Sequence, residues 1–235
     1  MAKPVTIVFL TYARTQYAVS TIKSVRQHLA YPDVRWYVAD DGSSEDHVAA
    51  VVDALDGANV VGLHSERKSY GWGANRGIRF ARKQGDLMLF LEDDWVLTQT
   101  LDLWQDAAVL MEHEETGMVR QGYLNNGIFG EAKSYGNEMY WRLRDGDFKN
   151  FTGHPSLRHV RFHDFAGFYP EDLQPGETEL GMAWQYAQRV NALPNMSPPA
   201  ILYPARCAQW GLWGHIGSEQ SYVWNGGVRL SEVGA

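Results

Sequence analysis

The chain has almost no cysteine. Cys207 is the only one in 235 residues, so no disulfide can close within the chain, and a reducing, cytoplasmic compartment is expected. Long apolar runs are missing as well. The run nearest the N-terminus, Val5 to Leu10, falls far short of the ~20 residues that span a bilayer, and no signal-peptide cleavage pattern follows it. A soluble chain without a membrane span is the expectation. Positive charge is in the minority, with 21 Lys and Arg against 28 Asp and Glu and a net charge of −7. A surface-wide grip on nucleic acid is therefore not indicated, although a local basic run extends from Arg76 to Lys83. There is no G-x-x-x-x-G-K-[ST] loop and no G-x-G-x-x-G after a strand, so neither a P-loop nor a Rossmann dinucleotide site is indicated. Internal repeats, low-complexity tracts and linkers are absent too, and one domain over residues 1–235 is expected.

What is present is an ordinary globular composition, 45% hydrophobic and 21% charged, with a regular first half. Val5 to Leu10, Val34 to Ala39, Val60 to Leu63 and Leu87 to Leu91 read as short buried strands. Between them Val19, Ile22, Val25 and Leu29 recur at helical spacing. A capping pair, Ser43 with Asp46, opens a helix that runs to about Leu55. Ala74, Ile78 and Ala81 mark another helix, closed by Gly85, and Leu101, Trp104, Ala108 and Met111 mark the next. Alternation of this kind predicts βαβ units in a mostly parallel sheet flanked by helices. The second half is less regular: residues 125–147 suggest a hairpin or a loop, Leu180 to Val190 a helix, and the C-terminal part is loop-like.

Ligands in such sheets bind at the carboxyl ends of strands. Three polar clusters sit there: Thr11-Tyr12-Ala13-Arg14, Asp40-Asp41-Gly42-Ser43 and Glu92-Asp93-Asp94. Three consecutive acids raise one another's pKa, and a hard divalent cation such as Mn²⁺ or Mg²⁺ relieves the conflict. Extended-chain alternation points Glu92 and Asp94 one way and Asp93 the other. A solvated acidic turn, or for Asp40 an Asx-type turn that caps a helix, accounts for these clusters equally well when each is taken alone.

In their order and spacing these segments resemble family 2 glycosyltransferases of the GT-A fold, a Rossmann-like α/β architecture. The likeness rests on Val5 to Arg14, on Val38-Ala39-Asp40-Asp41-Gly42-Ser43, on Asn75-Arg76-Gly77-Ile78, and on Leu91-Glu92-Asp93-Asp94. It covers residues 4–97, the nucleotide-sugar half. Residues 98–235 would form an irregular half that holds the acceptor and the catalytic base.

The resemblance implies an inverting, metal-dependent transfer from a nucleotide sugar, with UDP favoured, to a hydroxyl acceptor such as a glycan, a small molecule or a modified base in DNA. Thr11, Arg14, Asp40 and Asp41 would hold the nucleoside, with Tyr12 in the same turn. Asn75 and Arg76 would serve the diphosphate end at a helix start. Asp94 would be the main metal ligand, Glu92 or Asp93 assisting through ribose or water, and His215 would complete the metal shell or touch the diphosphate. Glu92 stands where the family often has Asp. The base lies in Gly176-Glu177-Thr178-Glu179-Leu180: alignment on Leu180 selects Glu177, and a small shift selects Glu179. His154, His159, His163 and Asp164 are further polar candidates for the acceptor side. Trp72, Trp95, Trp141, Trp184, Trp210 and Trp213 are candidates for stacking on sugars. A non-catalytic nucleotide-sugar-binding module is the competing class.

Overall fold

The computed structural model describes residues 3–122, 129–145, 148–151, 153–173, 176–193, 196–208 and 212–217. The first half runs β1 (Val5–Thr11), α1 (Thr15–His28), β2 (Leu29–Ala30), β3 (Val34–Asp40), α2 (Glu45–Ala54), β4 (Val60–Ser65), α3 (Tyr70–Gln84) and β5 (Leu87–Glu92). There follow β6 (Trp95–Leu97), β7 (Leu101–Asp102), α4 (Trp104–Glu112), β8 (Thr116–Arg120), β9 (Phe129–Tyr135) and β10 (Glu138–Leu143). Last come β11 (Ser156–His159), α5 (Val160–Ala166), α6 (Glu177–Ala192), β12 (Ala200–Pro204) and β13 (Trp213–His215).

One nine-stranded sheet carries the fold, in the order β4-β3-β1-β5-β11-β8-β12-β10-β9. From β4 through β5 every pairing is parallel, as the alternation predicts. The second half adds β11 antiparallel to both β5 and β8, then β12 parallel to β8, then the β9–β10 hairpin. That hairpin meets one of the two expectations for residues 125–147; residues 123–128 and 146–147 lie outside the described residues. Leu101, expected in a helix, pairs instead as part of β7, and α4 starts at Trp104.

All seven residues of β1 are buried, so its alternate side chains feed two cores. Val5, Ile7 and Phe9 pack with Ala18, Ile22 and Val25 of α1 and with Leu89 and Leu91. Val8 and Leu10 pack on the other face with Ala74, Ile78 and Ala81 of α3, Met88 and Phe90, and with Met182, Ala183 and Tyr186 of α6. The spacing of the α1 residues is that of an amphipathic helix with one face turned to the sheet. Three layers result, with α1 on one side and α3 and α6 on the other. This two-sided arrangement decides where each acid at the end of β5 points.

Candidate active site

The acid triplet does not stay extended. β5 ends at Glu92, and Asp93 and Asp94 form a turn before β6. Glu92 continues the face of Met88 and Phe90, toward α3 and α6. The turn overrides the expected alternation and swings Asp93 and Asp94 together toward Arg14. The Arg14 guanidinium donates to Asp94 Oδ2 at 2.8 Å through Nη1 and to Asp93 Oδ1 through Nη2. The chain thus supplies one cation to two of its three acids. Ala13, at φ 56°, is the only non-glycine residue with positive φ among the described residues. That strained turn carries the chain into Arg14.

Asp93 is 1% exposed and serves as an anchor. It accepts from the Thr11 hydroxyl at 2.9 Å and the Tyr12 N–H at 3.2 Å, while the Thr21 hydroxyl donates to its carbonyl at 2.8 Å. Burial raises its pKa to about 6 against the opposing pull of Arg14. Behind Thr11 lies His47, which no sequence motif singles out. Its Nε2 is 3.0 Å from Thr11 Oγ1 and its Nδ1 is 2.9 Å from Thr15 Oγ1. Because the Thr11 hydroxyl donates to Asp93, a neutral ring with Nε2–H donating and Nδ1 accepting satisfies every group. Burial lowers the pKa of His47 and so favours this form. His47→Leu is expected to leave Thr11 and Thr15 without their buried partner and to cost roughly 1–3 kcal/mol, measured by denaturant unfolding.

Asp40 organises its own turn. Its Oδ2 accepts from Gly42 N–H (3.1 Å), Ser43 N–H (2.9 Å) and the Ser65 hydroxyl (2.6 Å), and its Oδ1 accepts from the Ser43 hydroxyl. Gly42 has φ +77°, and a Cβ there would strike Arg67. Ser44, rather than Ser43, caps α2. Asp41 accepts the Lys68 N–H at 2.8 Å. Asn75 is used up elsewhere: its amide donates to the Tyr169 carbonyl and to Glu171 and accepts the Tyr169 N–H, each at 2.8 Å. It ties α3 to the segment before α6. Arg76 is exposed and lies over the Trp72 ring, 5.2 Å from its centroid. Neither Asn75 nor Arg76 lines the cleft.

On the α3–α6 side Glu92 meets Glu179. The Tyr70 hydroxyl donates to Glu92, and the Gly153 N–H donates to Glu179. A Cβ on Gly153 would overlap the Glu92 carboxyl, so only glycine lets that N–H reach between the two acids. Burial raises the pKa of both, and the charge of Glu179 adds to the rise at Glu92. Glu179 rises to about 7, with the buried guanidinium of Arg120, the Gly153 N–H and Arg158 pulling the other way. Glu177 sits exposed in the first turn of α6 and does not line the cleft; Glu179 does.

His215 approaches from the C-terminal side. β13 pairs antiparallel with β6, His215 opposite Trp95, and the Ile216 N–H donates to the Asp94 carbonyl at 2.9 Å. His215 Nε2 lies 3.3 Å from Asp94 Oδ2. Asp94 is 6% exposed, yet its Oδ1 is buried with no hydrogen-bond partner among the described residues. Among those residues no three His, Cys, Asp or Glu side chains converge as a complete metal cage. This unpartnered carboxylate oxygen and the imidazole would suit a divalent ion, with its remaining ligands supplied by a substrate diphosphate and water.

Thr11, Arg14, Asp40, Asp41, Glu92, Asp93 and Glu179 border one cleft of about 780 Å³, including its open mouth, whereas Asp94 and His215 are not among its lining residues. Its walls carry six carboxyl side chains, Asp40, Asp41, Glu66, Glu92, Asp93 and Glu179, and a single cationic one, Arg14. Glu66, Ser69 and Tyr70 were not expected from the sequence. No tryptophan is among the lining residues; the aromatic ones are Tyr12 and Tyr70. Trp141 packs on Phe129, Trp213 is buried, Trp184 is exposed on α6, and Trp210 lies outside the described residues. His159 caps α5, His163 is buried against Arg158 and the Gly167 carbonyl, and Asp164 pairs with Arg82, so these three have structural partners of their own.

The model of glycosyl transferase family 2 matches residues 6–173. The chain belongs to this family. Among curated protein sequences none matches. Similar solved structures include residues 1–349 of S. aureus TarS, at TM-score 0.57 and 16% identity over 86% of this chain and 60% of that one. GalNAc-T7, solved with UDP, GalNAc and Mn²⁺, has TM-score 0.60 and 13% identity over 91% and 44%. The mannosyltransferase PcManGT from Pyrobaculum calidifontis, solved with GDP-Man and Mn²⁺, has TM-score 0.54 and 14% identity over 86% and 57%. The chain spans less than two thirds of each. At these identities the likeness shows the GT-A fold, which the family member described here shares. No helix among its described residues is long and apolar enough to cross a membrane.

Proposed function

We propose that the chain transfers a sugar, with inversion, from a nucleotide sugar bound with Mn²⁺ or Mg²⁺ to the hydroxyl of an acceptor. The charge balance of the cleft carries this reading. A diphosphate does not settle among six carboxyl groups and one arginine without added positive charge. Asp94 and His215, beside that wall, would hold the ion. When bound, a divalent cation supplies Lewis-acid neutralisation of the leaving diphosphate.

The rest falls to the chain. Arg14 holds Asp93 and Asp94 in one orientation. Thr11, Tyr12, Asp41, Glu66 and Ser69 line the side where the nucleoside would lie. Asp40 shapes that wall through its turn, and Asn75 fixes the position of α3. Glu179 takes the proton from the attacking hydroxyl, on the side of the cleft facing Glu92. The Gly153 N–H and Arg120 favour its ionised form. Attack from the side opposite the diphosphate inverts the anomeric carbon. Structural neighbours solved with UDP, UDP-GlcNAc or GDP-Man support a nucleotide-sugar donor. The acidic rim favours a neutral acceptor over DNA.

A panel of UDP-, GDP- and dTDP-sugars assayed for donor hydrolysis, with Mn²⁺ and with EDTA, tests the reading. Turnover of at least one donor with Mn²⁺ and loss of that turnover in EDTA are expected. Tight UDP binding without turnover of any donor would favour a binding module instead.

A further inference from the structure

Three rings meet beside the site. Trp95 directly follows the acid turn and is 5% exposed. Its indole packs against the His215 imidazole, with centroids 4.9 Å apart, and against the His154 imidazole at 4.7 Å. Each histidine belongs to a segment that delivers something to the site. β13 brings His215 to Asp94, and its next residue, Ile216, is bonded to the Asp94 carbonyl. Gly217 lies against the Asp94 carboxylate with no room for a Cβ. His154 follows Gly153, whose N–H holds Glu179. That loop is fixed from behind by the N–H groups of Gln121 and Gly122, which donate to the Pro155 carbonyl at 2.8 and 3.2 Å.

We propose that Trp95 is a positioning residue that couples the two halves of the site: by touching His154 and His215 at once, it sets the base and the metal-diphosphate ligands in register. The inference rests on the glycosyltransferase reading above. Its physical basis is simple. β13 is only three residues long, and the side chain of His215 is half exposed, so what orients its ring is Asp94 on one side and Trp95 on the other. An indole is large and rigid, with two side-chain torsions. It cannot shift toward one imidazole without changing its contact with the other. Ring contacts of this kind move an equilibrium by roughly 2–10-fold each.

The test uses the full chain and UDP as probe, titrated by calorimetry with Mn²⁺ and again with EDTA, alongside kcat for donor hydrolysis. His154→Ala removes the ring on the base side. It is expected to weaken Mn²⁺-dependent UDP binding about 3–10-fold, to leave binding in EDTA unchanged and to lower kcat. His154→Phe keeps a ring and is expected to recover most of both. Equal UDP affinity for the parent and His154→Ala in Mn²⁺, or no recovery in His154→Phe, overturns the coupling. If His154→Ala fails to fold, Trp95→Phe against Trp95→Leu decides: Phe retaining Mn²⁺-dependent binding where Leu loses it supports the coupling, and equal binding overturns it. A parent chain that binds none of UDP, GDP and dTDP in Mn²⁺ overturns the glycosyltransferase reading and the coupling with it; where GDP or dTDP binds in place of UDP, that nucleotide is the probe. A parent that binds UDP while His154→Ala binds it equally overturns the coupling alone.

Discussion

Glu179→Gln is expected to lower kcat by roughly 10²–10⁴, the range a positioned general base contributes, while leaving Mn²⁺-dependent UDP binding within about twofold. Glutamine keeps the shape of the side chain and still accepts the Gly153 N–H, so the fold survives. Glu177→Gln, on the exposed start of α6, is expected to stay near the parent. The pair separates the two residues that sequence alignment leaves open. The pH profile adds an independent check. A base acts only when ionised, and burial lifts the pKa of Glu179 to about 7. Activity is therefore expected to fall as pH drops through about 7, well above the usual carboxylate range, and to level off on the alkaline side of that limb. A limb near 4.5, or full activity in Glu179→Gln, would remove Glu179 from the role.

Asp94→Asn is the second large effect. Asparagine matches the shape but gives up the charge that faces His215 and Arg14. Its carbonyl is a poor substitute for the open carboxylate oxygen. Loss of Mn²⁺ stimulation is expected, with kcat/KM down about 10³-fold, equivalent to about 4 kcal/mol of transition-state stabilisation. UDP binding in EDTA is expected to be unchanged, because the residues proposed to face the nucleoside are others. The measurement is turnover and calorimetry with Mn²⁺ and with EDTA. Metal-stimulated turnover at the parent level would sink the ligand role.

Much of residues 4–97 was legible in the sequence because its elements follow local rules. Near-continuous apolar strands, helical spacing on α1 and a glycine at a positive-φ turn each specify their own conformation. Positions set by contacts between distant segments were not legible. The turn at Asp93-Asp94 depends on Arg14, about 80 residues earlier, and so the expected split of the three acids failed. His47 reads as an ordinary helix residue until β1 places Thr11 against it. Asn75 carries a family motif, yet its amide serves the main chain of Tyr169 from inside the fold. β11 and β12 were missed because their pairing partners lie far away in sequence. Glu179 could be named only alongside Glu177, since which face of α6 meets Glu92 is decided by the packing of Met182 and Tyr186 on the sheet.

The most direct test of the whole account is the anomer released first when the chain hydrolyses its nucleotide sugar in Mn²⁺, followed by proton NMR before mutarotation. An α-linked donor is expected to give the β sugar first, at a rate abolished by EDTA and reduced roughly 10²-fold or more in Glu179→Gln. Release of the α sugar first, or hydrolysis indifferent to EDTA and to Glu179, would contradict it.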